Sequence, residues 1–238
     1  IEKEPNYSFA AARILLNCIY KEVFKEGVDS DAYALQYRKS FIQNIKVLVK
    51  NDRLDKKLLS FDLKKLSDAL ILDNDLKFKY LGIQTLTDRY FIKEGDKIME
   101  APQCFWMRVA MGLAINEKDK DDWAIKFYNL ISSLLYTPST PTLFNSGTTH
   151  SQLSSCYLNT FDDSIDGIFD GAWQEARKSK FAGGLGLDVT PFRSTGSHIH
   201  GTNGISSGLV PWLKIYNDLL IAVNQGGKRP GAGGAYLE

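Results

Sequence analysis

The sequence predicts an α-helical domain followed by an α/β domain. Apolar residues recur at three- and four-residue spacing through residues 7–138, which is typical of packed helices, and glycine is rare there. The stretch TPSTPTLFNSG (137–147) then interrupts the helices, because its prolines and hydroxyl residues favour extended backbone. Beyond it glycines are dense and strand-like segments alternate with helix-like ones, the rhythm of an α/β sheet or barrel. We therefore expect domains at 1–138 and 139–238.

Six segments separated by turn signals form the predicted helical domain. Gly27 is a stop signal for the first helix, and Asp31 can cap the second. In chain order the segments are SFAAARILLNCIYKEVFKEG, DAYALQYRKSFIQNIKVLVKN, DLKKLSDALIL, DLKFKYLGIQTLTDRYFI, APQCFWMRVAMGLAI and DDWAIKFYNLISSLLY.

Two strands and two helices are predicted in the second domain. QLSSCYLNTF and GLGLDVTPF have strand character. Between them lies DSIDGIFDGAWQEARKSK, whose second half is helical in pattern, and Asp163 is placed to cap or precede that helix. A last helix, LVPWLKIYNDLLIAVN, leads into the glycine-rich segment NQGGKRPGAGGAYLE.

Composition excludes several classes of protein. The 238 residues are 44% hydrophobic and 24% charged, which is typical of a globular chain and not of a disordered one. A formal net charge of +1 argues against a general binder of nucleic acid or membrane surfaces. No apolar run approaches the roughly 20 residues of a membrane span, and IEKEPNYSF is charged where a signal peptide is apolar. We expect a soluble, cytoplasmic protein.

The three cysteines are scattered, and none belongs to a CxxC or Cys/His cluster that would predict zinc. Cys18 and Cys104 stand in apolar helical stretches, which predicts core residues. Cys156 stands on a predicted strand behind two hydroxyl residues, and it could be a nucleophile, a redox thiol or a small core residue. Spacing alone favours a buried strand residue for Cys156, since no histidine is tied to it by a signature.

Anion-binding signals in the second domain are individually weak. KFAGGLGLD (180–188) allows a ligand close to the backbone, but tight packing explains its glycines equally well, and it matches neither a P-loop nor a dinucleotide fingerprint. Arg193 suits a phosphate or a surface position. His198 and His200 share one face of an extended stretch, but further ligands are missing, so no metal site is expected.

The glycine-rich segment NQGGKRPGAGGAYLE could be a loose tail, a phosphate cradle or an internal loop. Lys228 and Arg229 lie between glycine pairs and carry two charges that attract phosphate. Because AYLE returns to strand character, we interpret the segment as a loop that connects two elements.

Taken together and in order, these motifs resemble the large (alpha, catalytic) subunit of class I ribonucleotide reductase. The motifs are STPTLFNSGT, QLSSCYL, DDSIDGIFD, SKFAGGLGLDVTPFRSTGSHIHGTNG, GLVPWLKIYNDL and NQGGKRPGAGGAYLE, with EAPQCFWMRVAMGLA and EPNYSFAAARILL in the helical part. The resemblance covers essentially the whole chain. It implies a helical N-terminal domain followed by the first strands of a ten-stranded α/β barrel.

The resemblance implies reduction of ribonucleoside diphosphates at C2′. A thiyl radical, generated through a metal-containing small (beta) subunit, removes the 3′ hydrogen, and two further cysteines supply the reducing equivalents. Cys156 matches the first cysteine of that redox pair, whose disulfide thioredoxin or glutaredoxin would reduce again. No covalently bound cofactor is implied for this chain.

The resemblance also implies two nucleotide sites. One binds the substrate. The other binds a deoxynucleoside triphosphate or ATP as allosteric effector, at the interface of a large-subunit homodimer. The residues that match substrate positions are Thr142, Ser155, Gly184 and Arg229. Those that match effector positions are Asp163, Ser164, Ile165, Lys180, Arg193, His200 and Gln225. His200 matches a position of variable type, so its expected contact is through the backbone. The loop 223–232 would link the two sites, with Gln225 and Arg229 as its working residues.

In the family, the radical cysteine and the second redox cysteine lie beyond the stretch that this sequence matches. Either a complementary C-terminal part of the large subunit supplies them from a second polypeptide, as in a split enzyme, or the sequence is part of a longer chain; we expect no N-terminal ATP cone. Two alternatives stay open: a nucleotide-binding, dimerising fragment without catalysis, and half of a cobalamin-dependent class II reductase. WMRVAMGLA and NQGGKRPGA favour class I.

Overall fold

A computed structural model describes the chain in four stretches: residues 4–24, 32–181, 183–223 and 232–237. The predicted helix signals Gly27 and Asp31 lie outside these residues. Most of the predicted linking loop, including Gln225 and Arg229, also lies outside them.

The chain divides into two compact units, which are described separately. The first unit contains residues 1–138 and 142–151, and the second contains residues 139–141 and 152–238. The first unit is helical and the second is an α/β unit, so the predicted fold class is confirmed. None of the helices in the described stretches combines the length and the apolar character that a membrane crossing needs.

Helices of the first unit surround a single apolar core. Helix α5 lies at its centre, and almost all of its side chains are buried, including Phe105, Met107 and Met111. A helix buried on all sides is apolar around most of its circumference, as PQCFWMRVAMGLA is apart from Gln103 and Arg108. The helices are α1 (Tyr7–Phe24), α2 (Tyr33–Lys50), α3 (Leu63–Asp68), α4 (Tyr80–Thr85), α5 (Pro102–Ala114), α6 (Lys120–Ser132) and α7 (Thr140–Asn145). The first two residues of α7 belong to the second unit.

The segment DLKFKYLGIQTLTDRYFI is not the single helix that its periodicity predicts. It forms a 3-10 turn over Leu72–Lys77, then α4, then a π-helical turn over Leu86–Tyr90. Phe78 interrupts the helix because its backbone is extended and its ring is buried. The core therefore overrides the local helical propensity at this position.

A short hairpin also interrupts the predicted helical domain. Strands β1 (Lys93–Glu94) and β2 (Lys97–Ile98) pair antiparallel. Gly95 lies in the turn with a φ of +60°, a conformation that glycine adopts without steric cost. The sequence EGDK thus forms a tight turn where we expected only a break between helices.

The first unit buries a complete ion pair. Arg108 has an exposed fraction of 0%, and its Nε donates to Glu100 Oε1 at 2.8 Å while Nη2 donates to Oε2 at 3.1 Å. Arg108 Nη1 also donates to the backbone oxygen of Ser146 at 2.8 Å, and Glu100 Oε2 accepts from the backbone N–H of Ile92 at 2.9 Å. These bonds join α5 to the segment after α7 and compensate the desolvation of both charges.

Asp75 is a second buried polar centre in the same unit. Its Oδ2 accepts hydrogen bonds from Tyr20 Oη at 2.5 Å and Tyr37 Oη at 2.9 Å, and its Oδ1 accepts from Gln103 Nε2 at 2.7 Å. Burial raises the pKa of Asp75 to about 6, although these donors oppose the shift. The carboxylate links α1, α2 and α5.

The second unit has a three-stranded parallel sheet at its centre. Its strands β3 (Cys156–Thr160), β4 (Gly184–Asp188) and β7 (Gly233–Tyr236) lie in the order β3-β4-β7. Helix α8 (Ile165–Lys180) connects β3 to β4, and α9 (Val210–Val223) precedes β7. Between β4 and α9 lies a small hairpin, β5 (His198–Ile199) and β6 (Gly204–Ile205).

Helices α8 and α9 cover one face of this sheet. The apolar core on that face contains Ile168 and Ala172 of α8, Leu187 and Val189 from β4 onward, and Tyr216 of α9. A Cβ atom added to Gly171 would lie 2.3 Å from the Phe161 ring, so α8 approaches the sheet as closely as only glycine allows.

Replacing Arg108 by Met should lower the free energy of unfolding by about 3–5 kcal/mol, because the buried Glu100 carboxylate would lose its counter-charge. Urea denaturation would measure this loss. The matched control is Arg53→Met, since Arg53 and Glu94 form a partly exposed pair at 4.0 Å, with exposed side-chain fractions of 49% and 33%, that should contribute less than about 1 kcal/mol. Similar losses in the two variants would contradict the prediction.

The stability of the first unit should depend on the protonation of Asp75. Its folded pKa of about 6 exceeds the reference value of 3.8, so between these values the folded state binds more protons than the unfolded state. Acidification from neutral pH should therefore add stability, by at most about 1.4 kcal/mol per pH unit.

Asp75→Asn removes this contribution, so the difference in unfolding free energy between wild type and variant should change between about pH 7 and pH 4. Denaturation curves at several pH values would measure it. A difference that stays constant over this range would show that Asp75 does not titrate as expected.

Candidate functional site

The face of the parallel sheet opposite α8 and α9 carries the thiol of Cys156. Residues alternate between the two faces of a strand, so Leu185 and Leu187 point to the helices while Cys156 and Leu158 point away from them. Cys156 is exposed, which makes the expectation of a buried strand cysteine wrong. Spacing alone failed here because it does not reveal which face of the strand the helices cover.

Cys156 lies directly opposite Gly184 in the register of β3 and β4. The backbone N–H of Gly184 donates to the backbone oxygen of Ser155 at 2.7 Å, and Ser155 Oγ lies 3.7 Å from Cys156 Sγ. A Cβ atom at Gly184 would lie 3.2 Å from that same Ser155 oxygen. Two of the predicted substrate residues, Ser155 and Gly184, therefore meet the predicted catalytic Cys156 at the start of two adjacent strands, where a ligand can approach both the thiol and the bare backbone of Gly184.

The other two predicted substrate residues are Thr142 and Arg229. Thr142 is buried on α7 and belongs to the first unit. Arg229 lies outside the described residues. Their assignment as substrate residues stays a prediction.

Four of the predicted effector residues line one pocket of about 140 Å³ in the second unit. Asp163, Ser164 and Ile165 come from the start of α8, and Arg193 comes from the loop after β4. Sequence reasoning missed the remaining lining, because apolar loop residues and a helical tryptophan are normally core residues. These are Ile168, Phe192, Ile199, Ser206, Gly208 and Trp212.

Asp163 and Arg193 form an ion pair within this pocket. Arg193 Nε donates to Asp163 Oδ2, and Arg193 Nη2 donates to the backbone oxygen of Asp163 at 3.1 Å. The pair is partly buried, with exposed side-chain fractions of 36% for Arg193 and 23% for Asp163. The pocket thus contains one cation and one carboxylate, each of which could bind part of a nucleotide.

Ser164, and not Asp163, caps α8. Its Oγ accepts a hydrogen bond from the backbone N–H of Gly167 at 3.0 Å, so Asp163 only precedes the helix. The helix begins at Ile165, which corrects the expectation that only the second half of this segment is helical. The cap leaves the Asp163 carboxylate available to Arg193.

Lys180 lies away from this pocket within the same chain. It is the last residue of α8, about 22 Å along the helix axis from Ile165. His200 is exposed and lies outside the pocket lining, although its neighbour Ile199 belongs to it. Gln225 lies outside the described residues. One chain therefore brings together only part of the predicted effector set.

The two histidines of the hairpin contact each other. The rings of His198 and His200 lie edge to face with centroids 5.1 Å apart, and His198 Nε2 lies 3.0 Å from Asn203 Oδ1. Among the described residues, the structure has no group of three or more His, Cys, Asp or Glu side chains placed to bind a metal ion.

The three thiols differ in exposure. Cys104 is buried in α5, as expected, and burial raises the pKa of its thiol well above the ordinary value. Cys18 is exposed on α1, so the expectation that it is a core residue is wrong. Its helix is apolar on more than one face, and the sequence pattern did not show which face is buried.

Under native conditions iodoacetamide should therefore alkylate Cys156 and Cys18 but not Cys104, because reaction requires an accessible thiolate. Mass spectrometry of digested protein would identify the modified residues. Unfolding in denaturant should expose Cys104 to the reagent as an internal control. Rapid native modification of Cys104, or protection of Cys156, would contradict the geometry described above.

Comparisons with known proteins agree with this architecture. The profile of the ribonucleotide reductase all-alpha domain matches residues 76–151, and that of the ribonucleotide reductase barrel domain matches residues 154–238. The two matches follow each other in the order of the helical and α/β units.

Individual relatives match along nearly all of the chain. The ribonucleoside-diphosphate reductase subunit alpha of Chlamydia trachomatis is 52% identical over 241 residues, covering 100% of this chain and 23% of the relative. The large subunit of Monkeypox virus is 41% identical, covering 99% of this chain and 30% of the relative. The subunit alpha of Helicobacter pylori is 40% identical, covering 98% and 29%.

The chain thus spans between about a quarter and a third of the length of these relatives. Identity of 40–52% extends across both units, and both domain profiles belong to one enzyme family. This chain belongs to the ribonucleotide reductase large-subunit family.

Proposed function

We propose that this chain provides the thiol-bearing strand and the effector pocket of a cytoplasmic ribonucleoside-diphosphate reductase. The observation that carries this proposal is the exposed thiol of Cys156, which lies opposite Gly184 on the sheet face that α8 and α9 do not cover. A reductase of this family needs an accessible thiol beside a surface that can receive a nucleotide.

The proposed reaction converts a ribonucleoside diphosphate and two thiols into a deoxyribonucleoside diphosphate, a disulfide and water. A thiyl radical, generated through the metal-containing small subunit, removes the 3′ hydrogen and recovers it at the end of the cycle. Cys156 is one of the two thiols, and a second cysteine of the complete enzyme is the other. The C2′ hydroxyl leaves as water, and thioredoxin or glutaredoxin reduces the disulfide by thiol exchange.

The substrate contacts follow from the same strands. Ser155 and Gly184 lie beside Cys156 and present a hydroxyl and a bare backbone to a bound nucleotide. Thr142 and Arg229 are proposed to complete the substrate site on the basis of the family resemblance alone.

The Asp163–Arg193 pocket is proposed to bind a deoxynucleoside triphosphate or ATP as allosteric effector. Arg193 suits the phosphates because its guanidinium forms paired hydrogen bonds with phosphate oxygens. Asp163 can accept a hydrogen bond from a sugar hydroxyl. Ser164 and Ile165 line the pocket beside Asp163, and the loop with Gln225 and Arg229 is proposed to relay the effector's identity to the substrate site.

A homodimer would complete this effector site. Ile165, Phe169 and Trp173 form an apolar stripe on α8 with exposed fractions of 62%, 52% and 58%, and such stripes mark protein interfaces. If two copies of α8 pack antiparallel about a two-fold axis, Lys180 of the partner subunit comes near Asp163. This arrangement would explain why one chain keeps Lys180 away from the pocket.

The decisive experiment is Cys156→Ser in the complete reductase, assayed with its small subunit and a chemical or protein reductant. Turnover should fall by more than about 10³-fold, because serine cannot form the disulfide. Binding of substrate and of a deoxynucleoside triphosphate should stay within about threefold of wild type, since the change only replaces one sulfur atom by oxygen.

Ser155→Ala is the matched control, since it alters the adjacent side chain without removing a thiol. It should retain much more activity than Cys156→Ser. Full activity of Cys156→Ser would refute the redox role. Nucleotide binding by a wild-type enzyme that never turns over would instead favour a binding module without catalysis, and turnover that requires cobalamin and no small subunit would favour class II.

A further inference from the structure

The ion pair between Asp163 and Arg193 occupies the guanidinium and carboxylate groups that would bind a nucleotide in this pocket. Two donors of the Arg193 guanidinium face Asp163, one toward its carboxylate and one toward its backbone oxygen. Both residues line the pocket, so the guanidinium is bound to the pocket wall. A phosphate that enters must compete with Asp163 for the same donors.

The pocket is also small in this state. Its volume is about 140 Å³, whereas sites for small molecules and cofactors usually measure about 300–1,000 Å³. The pocket of one chain therefore encloses only part of a nucleoside triphosphate, and Asp163 and Arg193 form that part of the site. Because Arg193 comes from the loop after β4 and Asp163 from the start of α8, opening the pair separates two distinct walls.

We propose that Asp163 is an internal competitor that holds Arg193 until a complete nucleotide replaces both partners of the pair. This inference rests on the proposed function of the pocket as the effector site. A deoxynucleoside triphosphate gives Arg193 a phosphate and gives Asp163 a sugar hydroxyl. Inorganic triphosphate satisfies only Arg193 and leaves the partly buried Asp163 carboxylate without its cation, which is unfavourable.

The ion pair thus makes the pocket selective, because a ligand that replaces only one of its two partners binds less favourably. Phosphate compounds without a sugar would break the pair and receive no compensation at Asp163. A nucleoside without phosphates would compensate Asp163 but not Arg193. Only a ligand that offers an anion and a hydroxyl at the correct separation avoids both costs.

The test is isothermal titration calorimetry of the complete reductase with sodium tripolyphosphate and, separately, with a deoxynucleoside triphosphate. Asp163→Asn should strengthen tripolyphosphate binding by about five- to tenfold, since Arg193 is then released from its carboxylate. The same variant should not strengthen binding of the deoxynucleoside triphosphate, because the acceptor for the sugar hydroxyl is weakened.

Asp166→Asn is the matched control for net charge. Asp166 is an exposed carboxylate in the first turn of α8 that does not line the pocket, so its removal should give a much smaller gain. Asp163→Ser provides a second variant that lacks the carboxylate, and it should reproduce the gain of Asp163→Asn. In an Arg193→Gln background, the gain from Asp163→Asn should disappear.

Equal gains for Asp163→Asn and Asp166→Asn, no gain at Asp163, or a gain that survives Arg193→Gln would each overturn the inference. The proposed function fails in a different way, namely if the wild-type reductase does not bind a deoxynucleoside triphosphate at this pocket. Comparing the two titrations therefore separates an incorrect effector site from an incorrect role of the ion pair.

Discussion

The close approach of α8 to the sheet at Gly171 is the contact on which the candidate site depends. Gly171 faces the Phe161 ring, which stacks on Tyr216 of α9 with centroids 5.4 Å apart, and Tyr216 Oη donates to the backbone oxygen of Ile168 at 3.0 Å. This packing covers one face of the sheet and leaves the other to Cys156. It also fixes the start of α8, so the positions of the thiol and the effector pocket follow from one interface.

Buried polar groups give the helical unit its specificity. Arg108 and Glu100 satisfy each other and the surrounding backbone, while Asp75 collects three donors from three helices. Such networks tolerate few alternative arrangements, because any slip of a helix leaves a desolvated charge without its partner. In the α/β unit a similar bond joins Asn159 of β3 to Glu175 of α8, whose burial raises its pKa.

Much of the fold followed from local signals in the sequence. Periodicity predicted the long helices, and glycine-bounded apolar runs predicted β3 and β4. Prediction failed where a tertiary contact decided the local structure, since Phe78 breaks a periodic helix by burying its ring. Exposure was the least predictable property, since Cys18 and Cys156 both lie in apolar segments and both reach the surface.

The sequence by itself determined the order of elements, the family resemblance and the identity of the candidate residues, because these depend on residue type and spacing along the chain. Only the tertiary structure decided which of those residues meet. It brought Asp163 to Arg193 across 30 residues and placed Cys156 opposite Gly184. It also kept Lys180 at the far end of α8. The physical reason is that register, helix packing and ion pairing are long-range interactions, and no local pattern specifies their partners.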